Sequence, residues 1–135
     1  MTKNFSKHNA SVKLSYNYTQ STFQFDLRSP DISVGDQTYY TPVHQAVGRL
    51  RYSCPKFSLD YTHRIQSGVE TIIDPLDGFH LANLQLKSHL KNLTVFFEVN
   101  NIWNANYRVI ERRVMPGRNY NIGVNFKILE KIKSK

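Results

Sequence analysis

LTVFFEVNNIWNANYRVIERRVMPGRNYNIGVNFKI, residues Leu93–Ile128, decides the fold. Its first eight residues place Leu93, Val95, Phe97 and Val99 on one side and Thr94, Phe96, Glu98 and Asn100 on the other. At its end, Tyr120, Ile122, Val124, Phe126 and Ile128 alternate with Asn119, Asn121, Gly123, Asn125 and Lys127. A period of two residues is the signature of a strand with one apolar and one polar face. The stretch therefore reads as strand, polar excursion over 102–117, strand.

The same alternation recurs upstream. Asn9–Thr19 sets Ala10, Val12, Leu14, Tyr16 and Tyr18 against Ser11, Lys13, Ser15, Asn17 and Thr19. His44–Ser53, Phe57–Gln66 and Phe79–Ser88 follow the same rule. The connections alternate in length. Residues 20–42 and 67–77 are long, and Phe23, Phe25 and Leu27 offer to extend the first strand. Cys54-Pro55-Lys56 and His89–Asn92 are tight turns. In an up-and-down meander, every second connection shares a rim, so the long excursions gather on one side and the tight turns on the other. The expected fold class is all-β, an antiparallel up-and-down meander of about six strands. The first strand, Asn9–Thr19, is of about the length, roughly 9–11 residues, that crosses a bilayer when tilted. The expected organisation is a polar lead-in over 1–8, the sheet over 9–128 and a basic tail over 129–135.

The apolar faces hold no Asp, Glu, Lys or Arg; the opposite faces hold Lys13, Arg49, Arg51, Asp60, Arg64, Lys87, Glu98 and Lys127. Aromatics are expected near both ends of the apolar faces, with Tyr18, Tyr61 and Tyr120 toward the long excursions and Tyr52, Phe57 and Phe126 toward the tight turns. This two-sided arrangement matches the aromatic girdles of outer-membrane barrels, which also segregate long loops from short turns. A soluble barrel closing its apolar face around a ligand would show the same alternation, and both readings stay open.

Composition narrows the classes. The chain has 135 residues, a net charge of +8, 13% aromatics and a mean hydropathy of −0.48. No apolar run reaches the length of a transmembrane helix, whereas a membrane barrel escapes averaged hydropathy because its polar face cancels its lipid face. The basic balance comes without a nucleic-acid-binding motif, so no nucleic acid is expected as partner. The single cysteine, Cys54, allows no internal disulfide. His8, His44, His63, His80 and His89 lack metal-ligand spacing, and no nucleotide-binding or hydrolase motif is present. No catalytic, metal or cofactor residues are expected, and the chain is not read as an enzyme. The opening residues MTKNFSKHNASVK lack the apolar core of a signal peptide. The expectation is either a location that needs none, or a front encoded elsewhere.

One segment then resembles a known family. Glu98-Val99-Asn100-Asn101-Ile102-Trp103-Asn104-Ala105-Asn106-Tyr107, followed by Pro116-Gly117-Arg118-Asn119-Tyr120-Asn121-Ile122-Gly123-Val124-Asn125-Phe126, is similar to the C-terminal end of TonB-dependent outer-membrane receptors. Its motif positions are Asn100, Asn101, Tyr107, Pro116, Gly117 and Arg118. Tyr40-Thr41-Pro42-Val43-His44-Gln45 looks like the approach to an earlier strand of the same barrels. The last strand also fits the C-terminal signal used in barrel assembly, at Asn121, Gly123, Phe126 and Ile128. The resemblance implies a bacterial outer-membrane location, uptake of a scarce nutrient such as a ferric siderophore or cobalamin-like ligand, and ligand contacts from external loops, here Arg112, Arg113 and Arg118. It implies partners too: outer-membrane lipid, the barrel-assembly machinery, the rest of the receptor, and the TonB system acting through the plug. The sequence departs from the pattern in the extra tail LEKIKSK, and in showing about six strands where such barrels close at roughly 22. It looks like the final segment of a receptor, from a split or truncated gene. The rival expectations are a small soluble barrel for an apolar ligand and a non-functional remnant.

Overall fold

The computed structural model describes residues 7–24 and 34–127. Strands β1 (Asn9–Tyr18), β2 (His44–Cys54), β3 (Phe57–Gln66), β4 (Phe79–Leu90) and β5 (Leu93–Asn100) run in order. A short hairpin, β6 (Arg108–Ile110) and β7 (Arg113–Val114), precedes the last strand, β8 (Asn119–Phe126). The main sheet has six strands in the order β1-β2-β3-β4-β5-β8, every neighbour antiparallel. It is the expected meander, and it is not closed. Among the described residues, nothing pairs with the outer edge of β1 or of β8.

Register shows why the alternation holds across the whole sheet. Val12, Leu50, Tyr61, Leu84, Val99 and Tyr120 form one cross-strand row. The adjacent row, one residue along, is Ser11, Arg51, Asp60, Gln85, Glu98 and Asn121. A slip of one residue in any pairing would put charged residues or, from β8, asparagines into the apolar row, so the pattern itself fixes the register. The rows begin near the tight-turn rim on β1 and finish near the opposite rim on β8. Such a stagger is the shear that a sheet needs in order to curl into a barrel.

The tight turns knit their rim. The His89 N–H donates to the Lys56 carbonyl oxygen at 2.8 Å, and the Lys127 N–H to that of Asn92, also at 2.8 Å. Lys91 adopts a positive φ of 48° to close the turn between β4 and β5.

The sheet has almost no core. The buried apolar residues among those described are Leu76, Phe79 and Ala82, all near the rim of the long excursions. The apolar face lies open instead: Leu14 is 80% exposed, Ile122 78% and Phe126 68%. Contiguous apolar surface on this scale marks a surface meant to be covered. The arrangement is unlike a small closed barrel, in which Leu14, Leu59, Val95 and Val124 would meet in the interior.

Two expectations need correcting. Tyr61 does not mark a rim: it sits midway along β3, opposite Leu50 and Leu84, because β3 reaches on to Gln66. The excursion over 102–117 is not uniformly irregular, since it folds back as β6 and β7. Of the proposed extension of β1, Thr22 bridges Gln37 and Phe23 bonds through its backbone to Asp36 and Gly35, so the chain turns back on itself there. Phe25, Leu27 and Ile128 lie outside the described residues, as do residues 1–6 of the lead-in and the 129–135 tail.

Candidate functional site

The three long excursions meet at one rim, and Glu111 is where they meet. It lies in the turn between β6 and β7, beside Arg112, whose φ is +59°. Its Oε2 accepts a hydrogen bond from the Tyr40 hydroxyl at 2.9 Å, and its Oε1 accepts one from the Ile73 N–H at 3.0 Å. One carboxylate thus joins the first, second and third excursions. The Tyr40 N–H also donates to the Glu70 carbonyl oxygen at 2.8 Å, a second tie between the first two. The Thr71 hydroxyl, the Ile73 N–H, Tyr40 and the Ile72 N–H hold the Glu111 carboxyl below the usual glutamate range, against a smaller opposing effect of burial. The Thr71 hydroxyl has a competing acceptor in the Asp74 carbonyl oxygen, at 2.7 Å. The Tyr40 hydroxyl is pushed up, first by its bond to Glu111 and then by partial burial.

The Asn-rich segment and the Pro-Gly-Arg segment form the base of the third excursion. Asn101 is 4% exposed with φ +52°, a conformation that asparagine tolerates better than most residues. Its side chain makes a two-way bond with Ala105: the Ala105 N–H donates to Oδ1, and Nδ2 donates to the Ala105 carbonyl oxygen, both at 2.8 Å. Nδ2 also reaches the Pro116 carbonyl oxygen at 3.4 Å. Asn104, with φ +53°, accepts the Arg118 N–H on its Oδ1 at 2.8 Å. A Cβ at Gly117 would stand 2.8 Å from that same oxygen, so the position suits glycine. Asn100 Nδ2 donates to Asn119 Oδ1 at 3.1 Å, and the Met115 N–H to the Tyr107 carbonyl oxygen at 3.0 Å. Tyr107 stacks obliquely on Phe79, ring centres 4.9 Å apart. The motif residues Asn100, Asn101, Tyr107, Pro116, Gly117 and Arg118 are thereby brought together as a staple between the two ends of the excursion.

Arg112 and Arg113 are exposed on the hairpin, and Arg118 is exposed immediately before β8. Among the described residues, none of the three makes an ion pair, and the adjacent carboxylate, Glu111, is already engaged. The hairpin thus presents exposed Arg112 and Arg113 next to exposed Ile110 and Val114. A cleft of about 400 Å³ opens alongside, lined by Asp77, Gly78, Asn106, Tyr107, Arg108 and Val114.

The polar face of the sheet holds the other charged cluster. Asp60 accepts from Arg49 Nη2 at 2.7 Å and Nε at 2.9 Å, and from Arg51 Nε at 2.7 Å. In the last strand, Asn121 and Gly123 share this face, whereas Phe126 belongs to the apolar one. Gly123 lies opposite Phe96, and a side chain there would run into the Phe96 ring. The room that glycine leaves is taken by that ring.

The histidines stay scattered, except that His63 and His80 stack with centres 6.2 Å apart. Among the described residues, no group of His, Cys, Asp and Glu is placed to hold a metal ion.

No protein-family model matches the chain, and no curated protein matches it either. Among the described residues, no helix is long and apolar enough to cross a membrane, which leaves crossing by strands untouched.

Sequence reasoning named Arg112, Arg113 and Arg118 as loop residues, took Glu111 only as part of the same charged cluster and Tyr40 only as part of a motif, and passed over Ile73. Only the fold brings Tyr40 and Glu111 together. The asparagine staple had a visible signal: asparagines spaced along a polar segment that has to turn sharply.

Proposed function

We propose that this chain is a membrane-embedded wall segment of a TonB-dependent outer-membrane receptor, serving uptake of a scarce nutrient such as a ferric siderophore or cobalamin-like ligand. The carrying observation is the pairing of an unclosed six-strand sheet with an apolar face that, among the described residues, nothing covers. Hydrocarbon covers such a face without any further protein, and the polar face then looks into a lumen. The segregation of long excursions to one rim, the staggered rows and the stapled Asn-rich motif support the same reading.

In this reading the chain contributes wall and external loops. The hairpin arginines Arg112 and Arg113, with Arg118, meet the ligand or the lipid headgroups outside. The energy-coupling parts, the plug and its TonB contact, are supplied by the remainder of the receptor. Open strand edges are not tolerated in lipid, because unpaired N–H and C=O groups have no water to bond. The segment therefore works only when other strands complete it.

The test is twofold. The DNA immediately upstream should encode a plug and further strands, and the full chain should require detergent or lipid to stay dispersed. A chain that is monodisperse in plain buffer, with no such upstream sequence, contradicts the proposal.

A further inference from the structure

The two open edges of the sheet are not equivalent. Facing the polar side, the β8 edge offers Asn119, Asn121, Gly123 and Asn125, all uncharged. The β1 edge offers Asn9, Ser11, Lys13, Ser15 and Asn17, with one cation at its centre. Lys13 lies directly opposite Arg49, and like charges facing each other across strands are destabilising. The carboxylate that could relieve them, Asp60, is held two strands away by Arg49 and Arg51 together. Among the described residues, Lys13 makes no ion pair. Glu98 is further still, on β5. The β1 side of the polar face is therefore cationic, and among the described residues no carboxylate is paired with Lys13.

β1 is also built to receive a strand. Its ten residues are paired on one side without a bulge and contain no proline. Edges that proteins protect carry prolines, bulges or charges, and of these β1 carries only Lys13.

From these observations we infer that β1 is completed by an antiparallel strand of another segment, apolar on one face, with an aspartate or glutamate beside Lys13 on the other. This rests on the wall reading above and adds the chemistry of the missing neighbour. A second copy of the chain is the poorer occupant. Five successive antiparallel pairings make β8 antiparallel to β1, so the sense would allow β8 of one copy to join β1 of the next, but the polar row of β8 has no carboxylate to set against Lys13.

The test uses the full chain in detergent micelles, with Cys54→Ser and Leu14→Cys. Three synthetic strand peptides, identical except for Glu, Gln or Lys at the position facing Lys13, carry a cysteine facing residue 14. Disulfide capture should be about fivefold greater for the Glu than for the Lys peptide, with Gln between. Lys13→Glu should invert that order. Val12→Cys, which flanks Lys13 on the other side, repeats the measurement should Leu14→Cys fold poorly, with circular dichroism reporting the sheet. Equal capture of all three peptides overturns the inference while leaving the wall reading intact. So does preferential cross-linking of Leu14→Cys chains to Ile122→Cys chains over the Glu peptide, since that seats a second copy on the edge. A chain that captures no peptide and is monodisperse in plain buffer sinks the wall reading itself.

Discussion

The Tyr40 hydroxyl donates to Glu111 Oε2 at 2.9 Å across 71 residues of sequence. With the Ile73 N–H on the other oxygen, this turns three separate excursions into one latched rim. Held below the usual glutamate range, Glu111 contributes to the latch at any pH above the ordinary glutamate pKa of about 4.3. That contribution is lost as the pH falls through the lowered value. The Tyr40 shift has the opposite sense: its contribution is complete below about pH 10 and is lost as the pH rises through the raised value. Hydrogen exchange at the Ile73 amide, corrected for its intrinsic rate, should lose protection in acid, and Glu111→Gln should weaken that protection already at pH 7. Unchanged protection in the variant would mean that the latch lies elsewhere.

Asn101→Ala removes the paired bonds to Ala105 and the contact with Pro116 from a side chain that is almost wholly buried. It also puts alanine at a positive φ. The expected loss is about 1–3 kcal/mol for the buried backbone groups left unsatisfied. The base of the third excursion should loosen, and trypsin should cut after Arg112 and Arg113 faster than in the parent chain. Equal cutting would show that the staple does not hold the hairpin.

Gly123→Val should destabilise through the Phe96 ring, by about 1–3 kcal/mol as other overpacked sites do. Phe96→Ala vacates the same space, so the double variant should recover most of the loss. Denaturant unfolding in micelles measures the coupling; additive effects would mean that the ring and the glycine do not share the site.

Asp60→Asn leaves Arg49 and Arg51 side by side beside Lys13. The arginines are about half-exposed, so the cost should be modest, about 1 kcal/mol or less, and should change as added salt screens the repulsion. Unfolding in micelles at low and high salt checks this, and a salt-independent loss would point to packing instead.

The fold was legible where side-chain period carried it. β3 and β5 begin and end where the alternation does, and the rows show why: most of their apolar residues, such as Leu59, Tyr61, Phe97 and Val99, face apolar residues on both neighbouring strands. β4 runs past Ser88 to Leu90, since a two-residue turn at Lys91-Asn92 is enough once lysine accepts a positive φ. The β6–β7 hairpin was hidden because β6 has three residues and β7 two, too few for any period to register. The latching role of Glu111 was hidden for a different reason. Its partners lie in two other excursions, and no local pattern connects them. Among the motif residues, the asparagines could be read as turn formers, but which carbonyl each would bond became clear only from the geometry.

The central claim concerns which way the apolar face points, and the Val95–Val124 pair tests it most directly. Both belong to the open apolar face, where an arginine at mid-bilayer costs about 2–4 kcal/mol. Gln85→Arg, on the polar face between Asp60 and Glu98, serves as the control. With the full chain added to lipid vesicles, the fraction resisting carbonate extraction should fall sharply for Val95→Arg and Val124→Arg and stay at the parent level for Gln85→Arg. Parent-level insertion of both valine variants would contradict the account.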